Sequence, residues 1–221
     1  MKIDIGDSTF ENQYASAKLV SGDVEPELCW VDFETTGLEN QDAVPLEVGV
    51  IITDKMCNVR AVFHSLIMER NWQFKLLHAP GVVRDMHEKS GLERQLQDTE
   101  RMMPAGSSAP WIDVLSAKSV NEQLFDFLHE YGGGENRLPM AGSTINFDRH
   151  FMRLWLTHCN DYLHYRNVDV STLKNLCKMH NPRIYAALPP VEGGTAHRAL
   201  DDIKGSMQDY LFYLENFLYV A

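Results

Sequence analysis

No apolar run in this sequence is long enough to cross a membrane. The longest, such as VGVII from Val48 to Ile52, are five residues, where a spanning helix needs about twenty. The opening residues, MKIDIGDSTFENQ, are acidic and polar where an export signal would need an apolar core. Cysteine is scarce as well: Cys29, Cys57, Cys159 and Cys177 form no C-x-x-C pair, and no Cys/His cluster has zinc-finger spacing. The expectation is a soluble, cytoplasmic protein with reduced and mostly buried thiols. Positive charge is short too. Lys and Arg total 20 against 31 Asp and Glu, for a net charge of −11 and a pI near 5.2. A protein that coats long duplex DNA carries the opposite balance, because phosphate neutralisation supplies most of its affinity. An enzyme that grips a short nucleic acid through metal ions is not excluded. A P-loop is absent, since GGGE at 132–135 lacks the lysine and reads as a turn.

The remainder is ordinary globular material, 44% hydrophobic and 23% charged, enough for one well-buried core. Residues 1–27 are polar and without a convincing period, so they read as an extension before a single domain over 28–221. LCWVDF (28–33), LEVGVIITD (46–54) and VRAVFHSLI (59–67) read as three strands with short links, an antiparallel meander. The stretch from about 91 to 116 carries Pro, Gly and Ser and reads as an inserted loop. Helical periods follow at 119–131, at about 147–158 and at 172–180, with short strands at 137–142 and near 167–170. Leu200, Ile203, Met207, Leu211, Leu214 and Leu218 recur at steps of three and four, the strongest helical signal in the chain. Strands first, then alternating helices and strands, predict an α/β fold with a mixed sheet.

Charge is unevenly spread. Residues 1–50 hold eleven acids against two bases, whereas 148–183 hold six bases and four histidines against three acids. An anionic ligand is drawn to the second region.

The chemistry is concentrated in a few acids. On a strand, Asp32 and Glu34 of VDFETTG share one face while Val31 and Phe33 take the other. Two carboxylates along one partly dry face repel each other, and a divalent cation relieves this; hard oxygen donors select Mg²⁺ or Mn²⁺. A solvent-exposed strand face explains the pair equally well when it is considered alone. Asp148 in NFDRHF and Asp201-Asp202 in HRALDDI read by themselves as first-turn acids that complement a helix dipole. Helical geometry pairs His197 with Asp201 rather than Asp202, unless His197 precedes the helix; spacing leaves this open.

Together, Asp32-x-Glu34, Asp148 and His197-x-Ala199-x-x-Asp202 resemble the three motifs of the DEDDh 3′→5′ exonucleases. WVDFETTGL, HYRNVDVSTLKNL (164–176) and HRALDDI narrow the resemblance to the oligoribonucleases, over a stretch from about Leu28 to the C-terminus. The resemblance implies a ribonuclease H-like fold, a mixed five-stranded sheet flanked by helices. It implies two Mg²⁺ or Mn²⁺ ions held by Asp32, Glu34, Asp148 and Asp202, with His197 as general base. The implied activity is degradation of short single-stranded RNA to nucleoside 5′-monophosphates by a homodimer.

Substrate contacts carry over residue by residue. Leu38 matches a wedge between terminal bases, and His87 matches a base-contacting histidine. Tyr165 matches a tyrosine that reaches the partner subunit's active site. Thr144, Arg166, Ser171 and Thr172 match a cap over the terminal phosphate, although Arg166 and the hydroxyl pair alone read as a surface cation and a helix N-cap. Two departures stand out. Val82 occupies the place of an aromatic wedge, and the segment around 102–114 is longer than in the relatives. Ser143 and Thr144 also replace an Asn-Ser pair. These leave a broader 3′→5′ exonuclease, acting on single-stranded DNA or longer RNA, as the alternative. A non-catalytic binding module is the remaining contrast; it has no need of four acids and a histidine together.

Overall fold

A computed structural model of the chain describes residues 3, 15–38, 42–102, 112–134, 137–190 and 197–218. One mixed sheet contains β1 (Ala15–Leu19), β2 (Leu28–Thr35), β3 (Pro45–Thr53), β4 (Val59–Leu66), β5 (Pro139–Gly142) and β6 (His164–Asp169), in the order β1-β4-β3-β2-β5-β6. The expected antiparallel meander is β2-β3-β4. On the far side of β2, β5 and β6 add in parallel, through the helical crossovers that parallel pairing demands. The direction of chain progression therefore reverses at β2, and in open α/β sheets ligands bind at such a switch point.

The helices are α1 (Trp72–Leu77), α2 (Gly81–Ser90), α3 (Leu92–Met102), α4 (Ile112–Leu115), α5 (Ala117–Tyr131), α6 (Asn146–Trp155), α7 (Thr157–Tyr162), α8 (Val170–His180), α9 (Pro182–Ala186) and α10 (Ala199–Tyr213), followed by a π-helical turn at Leu214–Leu218. Alternation along β2 divides the core. Cys29, Val31 and Phe33 pack with Val120, Leu124 and Phe151 of α5 and α6. Leu28 and Trp30 turn the other way, onto Ile203, Met207 and Tyr210 of α10. Trp30 is fixed there by an Nε1–H bond to Thr53 Oγ1 at 2.9 Å and an edge-on contact with Tyr210 at 5.4 Å. By the same alternation, Asp32 and Glu34 lie on the α10 side.

Several expectations are corrected. The sheet has six strands rather than five, because Ala15–Leu19, inside the segment expected to be a polar extension, pairs with β4 as an edge strand. Ladder hydrogen bonds hold it more than apolar burial does, so its sequence gives little alternation to read. Ile3 is buried as well, in the α10-side core. Residues 92–102, expected within a loop, form α3; its buried residues Leu92, Leu96 and Thr99 are a helical stripe in a mostly polar segment. The segment 103–111 lies outside the described residues. The helix expected over 147–158 breaks at Leu156 (φ −121°, ψ 60°), which allows both Leu156 and Cys159 to bury. At the C-terminus, Leu218 is half exposed beyond the end of α10. All four cysteines are free and buried, and burial pushes the Cys29 and Cys57 thiols up to about 12. Among the described residues, no helix is long and apolar enough to cross a membrane.

Candidate active site

The parallel ladder between β2 and β5 runs only to Trp30 and Ala141. Beyond it, the Phe33 N–H donates instead to Asp148 Oδ1 at 2.9 Å. Asp148 sits in the first turn of α6 and is buried. It thereby reaches past the end of β5 to the carboxylate end of β2. Packing is tight where β5 stops: a Cβ on Gly142 would meet Val31 O and the Ile145 side chain, both at 3.0 Å.

The question left open by spacing is settled by the start of α10. Helix begins at Ala199, after an extended Arg198 (φ −134°, ψ 130°) and a left-handed His197 (φ 49°). His197 therefore precedes the helix, and its ring groups with Asp202. Donor atoms of Glu34, His197 and Asp202 all lie within 4.8 Å of one another. Asp201 turns outward and pairs with Lys204 at 2.8 Å.

Charge at this site is strained. Burial, followed by repulsion from Asp148, Glu34 and Asp202, raises the Asp32 carboxyl well above its ordinary range. Burial and the nearby Glu47 and Asp202 push Glu34 up to about 8, against the pull of Arg198. Burial likewise takes Asp148 to about 8, although the Phe33 N–H opposes it. Asp202 rises to about 6 through burial, with His197 opposing. Four carboxyls pushed toward neutrality by burial and by neighbouring acids are a donor set fitted to cations, and their oxygens suit hard divalent ions. An isolated solvent-exposed strand face is excluded, since Glu34 is only 5% exposed.

One further acid converges on this cluster. Glu47 stands directly across from Glu34 on β3. Its Oε1 lies 2.6 Å from His64 Nε2 and accepts from Arg198 Nη2 at 2.8 Å. Burial raises this carboxyl, but His64 and Arg198 more than reverse that and hold it at about 2. The sequence carried a signal for it: Glu47 is the one charged residue in a nine-residue strand buried throughout.

The expected substrate residues fall in two groups. Thr144, Ser171 and Thr172 meet around a residue the motif reading passed over, Asp169. Its Oδ1 accepts from the Thr144 N–H at 3.0 Å and the Ser171 N–H at 3.1 Å, and its Oδ2 accepts from the Thr172 hydroxyl at 2.9 Å. Thr144 adopts φ 55°, and its hydroxyl lies 3.0 Å from that of Ser171. On the strand leading there, Arg166 lies over the exposed Tyr165 ring at 5.2 Å. The second group lies just after β2 and on α2. Leu38 and Val82 are exposed, at 70% and 75%. His87 is buried, with Nε2 2.8 Å from Thr35 O and Nδ1 3.8 Å from Glu34 Oε2. Its ring is fully enclosed and does not open toward solvent.

The chain is similar to known nucleases. The family model described as Exonuclease matches residues 113–210. An oligoribonuclease of Chromobacterium violaceum is 34% identical over 202 residues, covering 87% of this chain and 96% of that one. One from Mycobacterium sp. (strain KMS) is 32% identical over 195 residues, covering 85% and 79%. Among solved structures, exonuclease I of Methylocaldum szegediense superposes with a TM-score of 0.60 at 16% identity, covering 87% of this chain and 41% of that one; this likeness concerns the fold. The paired acids at the end of β2, Asp148 from α6 and His197 with Asp202 at the start of α10 thus stand in a chain that belongs to the oligoribonuclease family of 3′→5′ exonucleases.

Proposed function

We propose that this chain removes nucleoside 5′-monophosphates from the 3′ end of short single-stranded RNAs by hydrolysing the terminal phosphodiester. The observation that carries the reading is the convergence of Asp32, Glu34, Asp148 and Asp202, all with raised carboxyls, beside His197. These four would hold two ions, Mg²⁺ or Mn²⁺. When bound, such ions supply the Lewis acidity that lowers the pKa of an attacking water and steadies the charge on the departing 3′ oxygen. His197 accepts the proton of that water on its imidazole as the oxygen attacks phosphorus; the P–O3′ bond breaks and the 3′ oxygen is protonated from solvent. The left-handed turn at His197 holds the ring beside Asp202 and Glu34.

Arg166 with Thr144, Ser171 and Thr172 forms the cap for the terminal phosphate, the last three held together by Asp169. Leu38 wedges the terminal bases, and movement of α2 would let His87 reach a base. Exposed Tyr165 serves the second copy of a homodimer. Val82 favours a second reading, a broader exonuclease that also takes longer RNA or single-stranded DNA, because valine is a poor stacking surface.

Labelled RNA and DNA ladders of about two to twenty nucleotides, incubated with Mg²⁺, Mn²⁺ or EDTA, separate the readings, given the stacking that bases seek on aromatic side chains. Rapid loss of the shortest RNAs, abolished by EDTA and by Asp148→Ala, supports the first reading. Stepwise shortening of long substrates supports the second. No cleavage in any metal overturns both.

A further inference from the structure

We propose that Glu47 and Arg198 are positioning residues: they clamp the first turn of α10 onto β3 and thereby hold His197 and Asp202 against Glu34. The inference rests on the exonuclease reading above and assigns work to two residues that its motifs leave idle.

The start of α10 has no cap from its own sequence, since Arg198 occupies the N-cap position without a side-chain bond to the helix. Glu47 supplies that cap from the neighbouring strand, its Oε2 accepting the Ala199 N–H at 3.3 Å. A carboxylate at this end satisfies an amide the helix leaves unpaired and complements the helix dipole. The same carboxylate holds the Arg198 side chain as a fork: Nε lies 3.2 Å from Oε1 and 3.1 Å from Oε2, and Nη2 lies 2.8 Å from Oε1. His64 from β4 closes on Oε1 at 2.6 Å, and Gln95 from α3 accepts from Arg198 Nη2 at 2.5 Å. Both oxygens of Glu47 are thus committed to donors, which distinguishes it from the acids open to a cation.

The clamp has little slack. A Cβ on Gly49, two residues along β3, would meet Ala199 C, Ala199 Cβ and Leu200 N, each at 3.1 Å. The backbone of the helix start therefore rests directly on the strand. Arg198 is bonded in sequence to His197, and its carbonyl accepts the Asp202 N–H at 3.0 Å. Any slip of this turn along β3 displaces the imidazole and the Asp202 carboxylate together. Glu34, on the strand hydrogen-bonded to Glu47's own, stays where it is.

The test compares wild type, Glu47→Gln, Arg198→Lys and the double variant. Mn²⁺ binding is measured by calorimetry without substrate, kcat and KM on a short RNA, and melting temperature in parallel. The clamp predicts that Glu47→Gln weakens Mn²⁺ affinity and lowers kcat, each by about tenfold, the range seen for groups that orient metal ligands. KM for the RNA should change less than kcat. Arg198→Lys keeps the charge and loses the fork, so it shows the same pattern at smaller amplitude and serves if Glu47→Gln fails to fold. The double variant should be no worse than Glu47→Gln, because both act through one contact. Wild-type Mn²⁺ affinity and kcat in folded variants, with only the melting temperature lowered, would overturn the clamp alone. Failure of the wild-type protein to bind Mn²⁺ or cleave RNA would overturn the exonuclease reading and the clamp with it.

Discussion

Glu34 and Glu47 face each other in register on adjacent antiparallel strands, and both are buried. They are the same side chain on neighbouring positions of one sheet, yet their environments act in opposite directions. Beyond burial, Glu34 feels Glu47 itself, Asp202 and Asp148, against the pull of Arg198, and is pushed up to about 8. Glu47 looks onto His64 and Arg198 and is held at about 2. Burial is common to both and cannot be what separates them. Company decides: a carboxyl among carboxyls is a ligand set awaiting cations, whereas one among donors is a structural anion with its bonds already made.

Substitutions at these positions should expose the contrast. The largest effect falls at the reacting centre. His197→Ala should reduce turnover about 10²–10⁴-fold, the usual contribution of a positioned general base, with little change in melting temperature. A wild-type rate in that variant would remove His197 from the mechanism. Next comes Glu47→Ala, which strands Arg198 beside His64; breaking a buried pair in this way costs about 3–5 kcal/mol, readable by denaturant unfolding. Glu34→Gln should move stability in the other direction. It relieves repulsion and should stabilise the metal-free protein by about 0.5–2 kcal/mol while cleavage is lost, the exchange of stability for function that strained sites show. If both glutamate variants destabilise alike, the distinction between the two carboxyls fails.

pH separates them as well. A carboxyl raised in the fold binds its proton more tightly folded than unfolded. The metal-free protein should therefore lose stability from this cluster as pH climbs from the ordinary carboxylate value of about 4 toward about 8. Glu47, held low, contributes stability that is fully present above that ordinary value and is lost as pH falls toward about 2. Thermal melts in EDTA across this range would show two opposed slopes. The smallest effect is expected at the rim: Val82→Trp offers a stacking surface worth about 1–3 kcal/mol per base and should lower KM for dinucleotides more than for longer RNA. Equal changes for all lengths would remove position 82 from substrate selection.

Legibility in the sequence follows the strength of the local period. The meander and α10 were readable because β-branched runs and a long three-four stripe leave few alternatives. β1 was not, since an edge strand of Ala, Ser, Lys and Leu is held by backbone bonds that no side-chain pattern announces. α3 was hidden by polarity, with three buried positions in eleven residues. At the site, alternation placed Asp32 and Glu34 on one face. It could not choose between Asp201 and Asp202, because that choice depends on the backbone of His197 and Arg198. Glu47 escaped the motif reading, although a lone acid inside a buried strand is itself a signal. Its partners lie 17 and 151 residues away, so only the folded chain names them.

The most direct measurement is the number of protons released when Mn²⁺ binds, obtained by calorimetry in buffers of differing ionisation enthalpy from about pH 5.5 to 9. Raised carboxyls at Glu34, Asp148 and Asp202 predict release of protons below about pH 8, fading as pH rises above it. Binding with no proton release at pH 6 would contradict the central claim, since it would mean that these acids are already ionised and need no cation to be so.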